Sequence, residues 1–218
     1  AVTVEHFTVG RVNRISSVHL HAGGKGLNVA RVLSLLGAPV EAVAPVGGDS
    51  GRFLVRRLAA EGIPFAGVEI DGETRTNLKV ADSSTDTHTD INEPGPALSP
   101  GALAALKDRF LGGLGPGDWA VFSGSVPPGV DKGLYGQWIA EARQAGVRTV
   151  LDADGEALAL GLAAGPDLIK PNQDELEAWV GHSIEGEEPL FEAVAALRHA
   201  GAQTVAVSLG PRGAWLFQ

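Results

Sequence analysis

The stretch Ala22–Gly37, AGGKGLNVARVLSLLG, sets Gly23, Gly24, Lys25 and Gly26 side by side and follows them at once with an amphipathic segment. Val29, Val32, Leu33 and Leu36 recur at helical spacing and Gly37 supplies a C-terminal stop, which predicts a helix over residues 29–36. Glycines let backbone amides approach a ligand closely, because no Cβ intervenes. A helix N-terminus near Asn28 offers free N–H groups and the positive end of the helix dipole, and Lys25 adds a full charge. Together these favour a phosphate or a polyhydroxylated ligand. A glycine-rich turn with a solvated lysine has the same composition. The pattern is neither GxxxxGK[ST] nor GxGxxG, so it fits neither a P-loop nor a dinucleotide fingerprint.

Outward from this loop the dominant rhythm is strand, turn, helix. PVEAVAPVGG reads as a buried strand ending in a turn, and residues 52–61 as a helix closed by Gly62. Ser99 as N-cap and Pro100 at the first helical position open another helix in SPGALAALKDRFL. The series continues with strands in DWAVFSG, VRTVLDADG, DLIKPN and TVAVSLG, and helices in KGLYGQWIAEARQAG, QDELEAWVG and PLFEAVAALRHAG. GAWLFQ at the end reads as a last strand. Strands alternating with helices predict an α/β fold with a parallel sheet covered on both faces.

Two regions leave this rhythm. Residues 2–21 alternate loosely and hold no good helix. Residues 68–92 look like strands, and TRTNLKV alternates, with Thr74, Thr76, Leu78 and Val80 on one face and Arg75, Asn77 and Lys79 on the other. Both are expected to form one small antiparallel sheet apart from the main layer. Val4, Phe7, Val9, Leu78, Val80 and Ile91 are too many apolar groups for so thin a layer to bury, so its face should be exposed.

Bulk properties narrow the chemistry. With 218 residues and 44% hydrophobic content, the chain suits one compact domain with a small appendage. No apolar run approaches transmembrane length and no secretory signal is visible. A net charge of −9 argues against a nucleic-acid partner. Anions must then be bound by local cations and backbone amides. Cysteine is absent, which excludes disulfides and thiolate metal sites and agrees with a reducing cytoplasm. Methionine is absent too, even at residue 1, so the sequence is expected to be part of a longer chain.

Several polar or glycine-rich loops follow successive strands. SGSVPPG, residues 123–129, carries two hydroxyls, KPNQDE carries Lys170, Asn172 and Glu175, and SLGPRG sets Gly210 and Gly213 beside Ser208. The C-terminal ends of strands are where open α/β sheets bind ligands, so these loops together predict an elongated cleft. Any one alone could be an ordinary turn, as the Arg75–Asn77–Lys79 face could be a solvated strand face.

In this order the motifs GGKGLNVARVLSLLGAPVEAVAPVGG, TRTNLKV, TDINEPGP, FSGSVPPGV, LIKPNQDELE and VSLGPRGA resemble the ribokinase-like, PfkB-type sugar kinases over nearly the whole chain. GGKG, TRTN and TDINEPGP look most like the branch acting on phosphorylated ketohexoses, the 1-phosphofructokinase group. The resemblance implies a three-layer α/β/α sandwich with a mainly parallel sheet, plus a small antiparallel β lid. The lid would comprise residues 1–22 and 68–95, and the nucleotide- and sugar-binding core residues 23–67 and 96–218, incomplete at both termini.

The same resemblance implies ATP- and Mg²⁺-dependent phosphorylation of a phosphorylated ketohexose, with D-fructose 1-phosphate foremost. Tagatose 6-phosphate and fructose 6-phosphate are the alternative acceptors, and a non-catalytic sugar-phosphate-binding regulator is a further alternative. Gly23, Gly24 and Asn28 would hold sugar hydroxyls, Lys25, Arg75 and Asn77 the sugar or its phosphate, and Ser125 would line the sugar site. Lys170 and Asn172 would face the nucleotide phosphates, Glu175 would act on the metal through water, and Ser208, Gly210 and Gly213 would shape the ATP site. The family's G-A/S-G-D motif, whose aspartate is the catalytic base, does not occur in residues 1–218. Asp152, Asp154 and Asp174 lie in other motifs and are not assigned that role. A cytoplasmic homodimer joined through the lid is expected.

Overall fold

The computed structural model describes residues 1–218 as two compact units, Ala1–Ala102 and Leu103–Gln218. In the first unit, strands β3 (Ala42–Val46) and β4 (Phe65–Glu69) pair in parallel. Helices α1 (Lys25–Leu35) and α2 (Gly48–Ala60) belong with them. Their shared core holds Ala22, Leu27, Ala30, Ala42, Leu54, Leu58 and Ile63, with Val40, Val46 and Phe65 packed against it. The helix expected from residue 29 therefore begins four residues earlier, at Lys25, and Gly24 is its N-cap.

The same unit holds a four-stranded sheet in the order β2–β1–β5–β6, from Ile15–Val18, Val2–Val4, Leu78–Asp82 and Thr87–Ile91. It is mixed rather than purely antiparallel, because β1 runs parallel to β5 with Val2 opposite Val80. Val4 and Val80 are buried in it, whereas Val9, Leu78 and Ile91 are exposed, as are Val12, Ile15, Val18 and Leu20. The strand expected from Thr74 starts only at Leu78. Beyond the Leu78–Ile91 pair, side chains take over the backbone partners: the Thr76 amide donates to Glu93 Oε2 at 2.9 Å and the Glu93 amide to Asn77 Oδ1 at 3.3 Å. Pro94 then cannot donate to a ladder at all. Arg75 and Asn77 consequently sit on irregular chain, and only Lys79 of that trio is on a strand, paired with Asp90 at 2.8 Å. Residues 68 and 69 belong to β4, not to the four-stranded sheet.

The second unit is a five-stranded sheet in the order β11–β10–β9–β8–β7. Strands β7 (Trp119–Ser123), β8 (Arg148–Asp152), β9 (Leu168–Ile169) and β10 (Thr204–Ser208) are mutually parallel, and β11 (Ala214–Phe217) returns antiparallel to β10. The buried Phe122, Leu151, Ile169, Val205 and Val207 form its apolar centre. Helices α4 (Leu134–Gln144), α6 (Gln173–Val180) and α7 (Glu187–His199) match the periodicity closely, and α3 (Pro100–Leu111) opens with Ser99 Oγ accepting the Ala102 amide. One helix, α5 (Gly155–Leu162), is not legible from the sequence pattern. Its Gly161 interrupts the apolar stripe because it seats against Leu151, where a Cβ would come within 2.6 Å of the leucine side chain. No helix is long and apolar enough to cross a membrane.

Candidate active site

In the first unit the Gly23–Gly26 loop leads straight into α1. Gly24 has φ +137°, a conformation that only glycine holds without strain, and no side chain caps the helix. The Asn28 amide closes the first turn by donating to Gly24 O at 2.9 Å. Gly23 is the more telling residue. It has no positive φ, and a Cβ there would meet nothing within 4 Å, so neither backbone nor packing demands a glycine. Asn28 is held from below, its Oδ1 accepting from Arg31 Nη1 at 2.9 Å, while Arg31 also donates to Ala22 O and to Glu61. The 93–95 loop runs beside Arg75 and Asn77: Glu93 bonds to the Thr76 amide and to Asn77 Oδ1, and Gly95 lies against the Arg75 stem.

In the second unit the four parallel strands end at one edge of the sheet. Ser123 closes β7, Asp152 closes β8, Lys170 follows β9 and Ser208 closes β10. Ser123 Oγ donates to Asp152 Oδ2 at 3.2 Å, and Lys170 Nζ lies 3.4 Å from Asp152 Oδ1. Asp152 is 6% exposed and Lys170 is a partly open side chain, so a buried carboxylate holds a reachable ammonium. Sequence reasoning gave Asp152 no part in the site. The available signal was its place as the last residue of a strand whose neighbours both end in site loops.

Asn172 is tied to Ser208 by a parallel bridge, and the Ser208 amide donates to Pro171 O at 3.1 Å. Asn172 and Glu175 form a reciprocal capping box on α6. The Glu175 amide donates to Asn172 Oδ1 at 2.7 Å, and the Asn172 amide to Glu175 Oε2 at 3.0 Å. The N-x-x-E spacing therefore has a helix-starting role whatever else it does. Gly210 and Gly213 bracket a short 3₁₀ turn, Gly210–Arg212, closed by Leu209 N donating to Gly213 O at 2.8 Å. A Cβ at either glycine would meet nothing, so the space beside them is open. Arg212 donates to Gln173 Oε1, which links this turn to the first residue of α6. Gln173 Nε2 in turn donates to Glu177 Oε1 at 2.9 Å, and that bond, with the Ile184 amide, holds the Glu177 carboxyl below the usual range. Ser125 lies two residues beyond β7, after Gly124, and is exposed.

The chain is similar in sequence and fold to phosphofructokinases. A 1-phosphofructokinase of Rhodobacter capsulatus is 41% identical over 99% of this chain and 68% of its own length. The ATP-dependent 6-phosphofructokinase isozyme 2 of Escherichia coli is 37% identical over 98% of this chain and 69% of its own length. Among solved structures, phosphofructokinase-2 of Escherichia coli in complex with fructose-6-phosphate superposes with a TM-score of 0.90 at 35% identity, covering 100% of this chain and 72% of that one. The chain spans about two thirds of the length of the curated relatives it matches. The ribokinase-like α/β fold expected from the motifs is the fold of these neighbours. The pfkB family carbohydrate kinase pattern matches residues 1–218, and the chain belongs to that family.

Proposed function

We propose that the protein transfers the γ-phosphoryl group of ATP to D-fructose 1-phosphate, giving fructose 1,6-bisphosphate. The observation that carries this reading is the row of polar groups at one edge of the parallel sheet, Ser123, Asp152, Lys170, Asn172 and Ser208. Phosphoryl transfer needs positioning and charge neutralisation more than covalent chemistry. Lys170, oriented by Asp152, would meet the nucleotide phosphates, with the open side of Gly210 and Gly213 beside them. The names of the most similar relatives support fructose 1-phosphate as acceptor.

Lys25, Arg75 and Asn77 would take the sugar phosphate, Gly23, Gly24 and Asn28 its hydroxyls, and Ser125 would line the same site. The residues fit Mg²⁺ delivered with the nucleotide. Glu175 and Asn172 carry the oxygen donors that a hard cation coordinated mainly by water and phosphate takes. Glu175, fixed by the capping box, would hold the ion through water, with Asn172 beside it. The bound ion supplies charge neutralisation on the phosphates. No residue within 1–218 is assigned as the base.

We take the four-stranded sheet as the lid of the sugar site and its exposed apolar face as the contact of a homodimer, acting in the cytoplasm. A coupled ADP-release assay of the complete gene product over a panel of sugar phosphates tests the reaction. Fructose 1-phosphate should exceed the others in kcat/KM by about tenfold or more. A second reading, fructose 6-phosphate as acceptor, is favoured by the likeness to phosphofructokinase-2 and would be indicated by the reverse order.

A further inference from the structure

Residues 70–77 run between β4 and β5 without a strand ladder, yet they carry Arg75 and Asn77. Their geometry must therefore come from other bonds, and these are concentrated at Glu73 and Thr74. The α2 helix starts after Gly47, which has no side chain to cap it. Glu73 reaches in from outside and does so with both oxygens: the Asp49 amide donates to Oε1 at 3.0 Å and the Ser50 amide to Oε2 at 3.1 Å. Those backbone bonds hold the Glu73 carboxyl below the usual range. The next residue adds a reciprocal pair, Gly47 N donating to Thr74 Oγ1 at 2.9 Å and Thr74 N to Gly47 O at 3.0 Å.

The Gly47-Gly48 pair is shaped to admit this clamp. A Cβ at Gly48, where φ is +63°, would fall 2.0 Å from Glu73 Oε1, and one at Gly47 would fall 2.3 Å from Gly72 O. Unlike Gly23, these glycines are required by a close approach within the protein. On the other side of Arg75 the Thr76 amide is fixed by Glu93. Arg75 thus sits between two anchors, Glu73–Thr74 on one side and Thr76 on the other, and the first of them ties it to the start of α2.

We propose that Glu73, with Thr74, is a positioning residue for sugar-phosphate binding: it pins the start of the 73–77 segment to the N-terminus of α2 and so sets where Arg75 presents its guanidinium. This rests on the reading of Arg75 as a sugar-phosphate contact. Capping a helix would by itself affect stability alone. Positioning Arg75 would affect the acceptor and spare the nucleotide.

The test uses the complete gene product with steady-state KM values for fructose 1-phosphate and for ATP, and thermal midpoints alongside. Glu73→Gln keeps one acceptor but turns an NH₂ toward an amide donor, and Thr74→Val removes only the hydroxyl acceptor. Each should raise KM for fructose 1-phosphate by about tenfold, the scale of a misplaced charge-assisted contact, with KM for ATP unchanged. Thr74→Ser restores the acceptor and should be near wild type. In an Arg75→Ala background, Glu73→Gln should add less than about twofold, because coupled residues are not additive. If Arg75→Ala raises the sugar KM while Glu73→Gln and Thr74→Val move only the thermal midpoint, or move both KM values alike, the positioning role is overturned and the sugar-site reading stands. If Arg75→Ala itself leaves the sugar KM at the wild-type value, the sugar-site reading of Arg75 falls and the positioning role falls with it.

Discussion

Lys170 Nζ lies 3.4 Å from Asp152 Oδ1, across the C-terminal ends of two adjacent parallel strands. The carboxylate is buried and fixed from its other oxygen by Ser123, whereas the ammonium is partly open to solvent. The asymmetry gives the pair a direction: Asp152 sets where Lys170 stands, and Lys170 has room to meet an anion. Lys170→Met should lower kcat/KM for ATP by about a hundredfold or more, as expected when a charge-assisted phosphate contact that strengthens in the transition state is lost. Asp152→Asn should act in the same direction more weakly, since the ammonium remains but is no longer held. Steady-state kinetics of both variants check this, and wild-type ATP kinetics in Lys170→Met would remove Lys170 from the site.

The capping box on α6 allows two roles of Glu175 to be separated. Glu175→Gln keeps an oxygen able to accept from the Asn172 amide, so the helix start should survive and the thermal midpoint should change little. If Glu175 also acts on the metal through water, the same change should raise the Mg²⁺ concentration needed for half-maximal rate several-fold. Asn172→Ala, which removes the acceptor for the Glu175 amide, should cost about 1 kcal/mol of stability. A Mg²⁺ titration of Glu175→Gln that overlays the wild type would leave the box as that residue's only role.

The contrast between these two loops shows what a sequence can carry. Local pattern located α6, because the spacing of Leu176 with its neighbours is a short-range signal, while N-x-x-E reads in the sequence only as a ligand motif and its capping box emerges in the fold. The same kind of pattern misled at TRTNLKV. Alternation over residues 74–80 is real, but a strand needs a partner, and Glu93 and Pro94 end the ladder at Ile91. The bonds of Asp152 and Glu73 were invisible for a different reason. Their partners are 18 to 29 residues away in sequence, on Lys170 and Ser123, or 23 and 24 away on Ser50 and Asp49. Only the folded chain brings such pairs together. GGKG was legible because loop and helix start are contiguous.

The cations of the first unit give a direct test of the sugar site. Lys25 stands at the first residue of α1, and Arg75 is carried between the Glu73 and Glu93 anchors. Lys25→Ala and Arg75→Ala should each raise KM for the sugar phosphate by about ten- to a hundredfold, corresponding to roughly 1.5–3 kcal/mol for a charge-assisted contact. KM for ATP should stay within about twofold. Unchanged sugar kinetics in both variants would count decisively against the assignment.

Asp82 should give the four-stranded sheet a defined response to acid. Its buried carboxylate accepts from the Phe7 amide at 2.8 Å, from Ser84 Oγ at 2.7 Å and from the Ser84 amide at 2.9 Å. These bonds, the Phe7 amide foremost, push the Asp82 carboxyl far below its ordinary value of 3.8. A carboxylate with a depressed folded-state value adds stability that is fully present above its unfolded value and is lost as pH falls toward the folded one. Asp82→Asn should therefore be less stable than wild type by a constant margin at neutral and mildly acidic pH. The margin should narrow below the ordinary carboxylate value. Thermal midpoints of both proteins across this range check the sign, and a margin that widens in acid would contradict it.

The exposed face of the same sheet bears on assembly. Ile15 and Val18 lie on β2, Leu78 on β5 and Ile91 on β6, and all four are exposed alongside Val9, Val12 and Leu20. An apolar surface spread over both edges and the connecting loops of one thin sheet is unusual for a free surface. Leu78 shares one face of β5 with the buried Val80, Ile91 lies opposite Leu78, and Val18 lies opposite Val2, the partner of Val80, so these groups extend one apolar face. If this face joins two copies, a charge on it must be desolvated or leave the pair. Ile91→Lys and Val18→Glu should each shift the protein from dimer to monomer at micromolar concentration, as read by light scattering or sedimentation. Each site is solvent-exposed in the single chain, so neither substitution should lower the monomer's own thermal stability by more than about 0.5 kcal/mol. A Lys25→Ala variant, altered on α1, should remain dimeric and serves as the control for assembly. Wild-type protein that sediments as a monomer at these concentrations would refute the dimer, and an unchanged dimer in both charged variants would move the contact off this face.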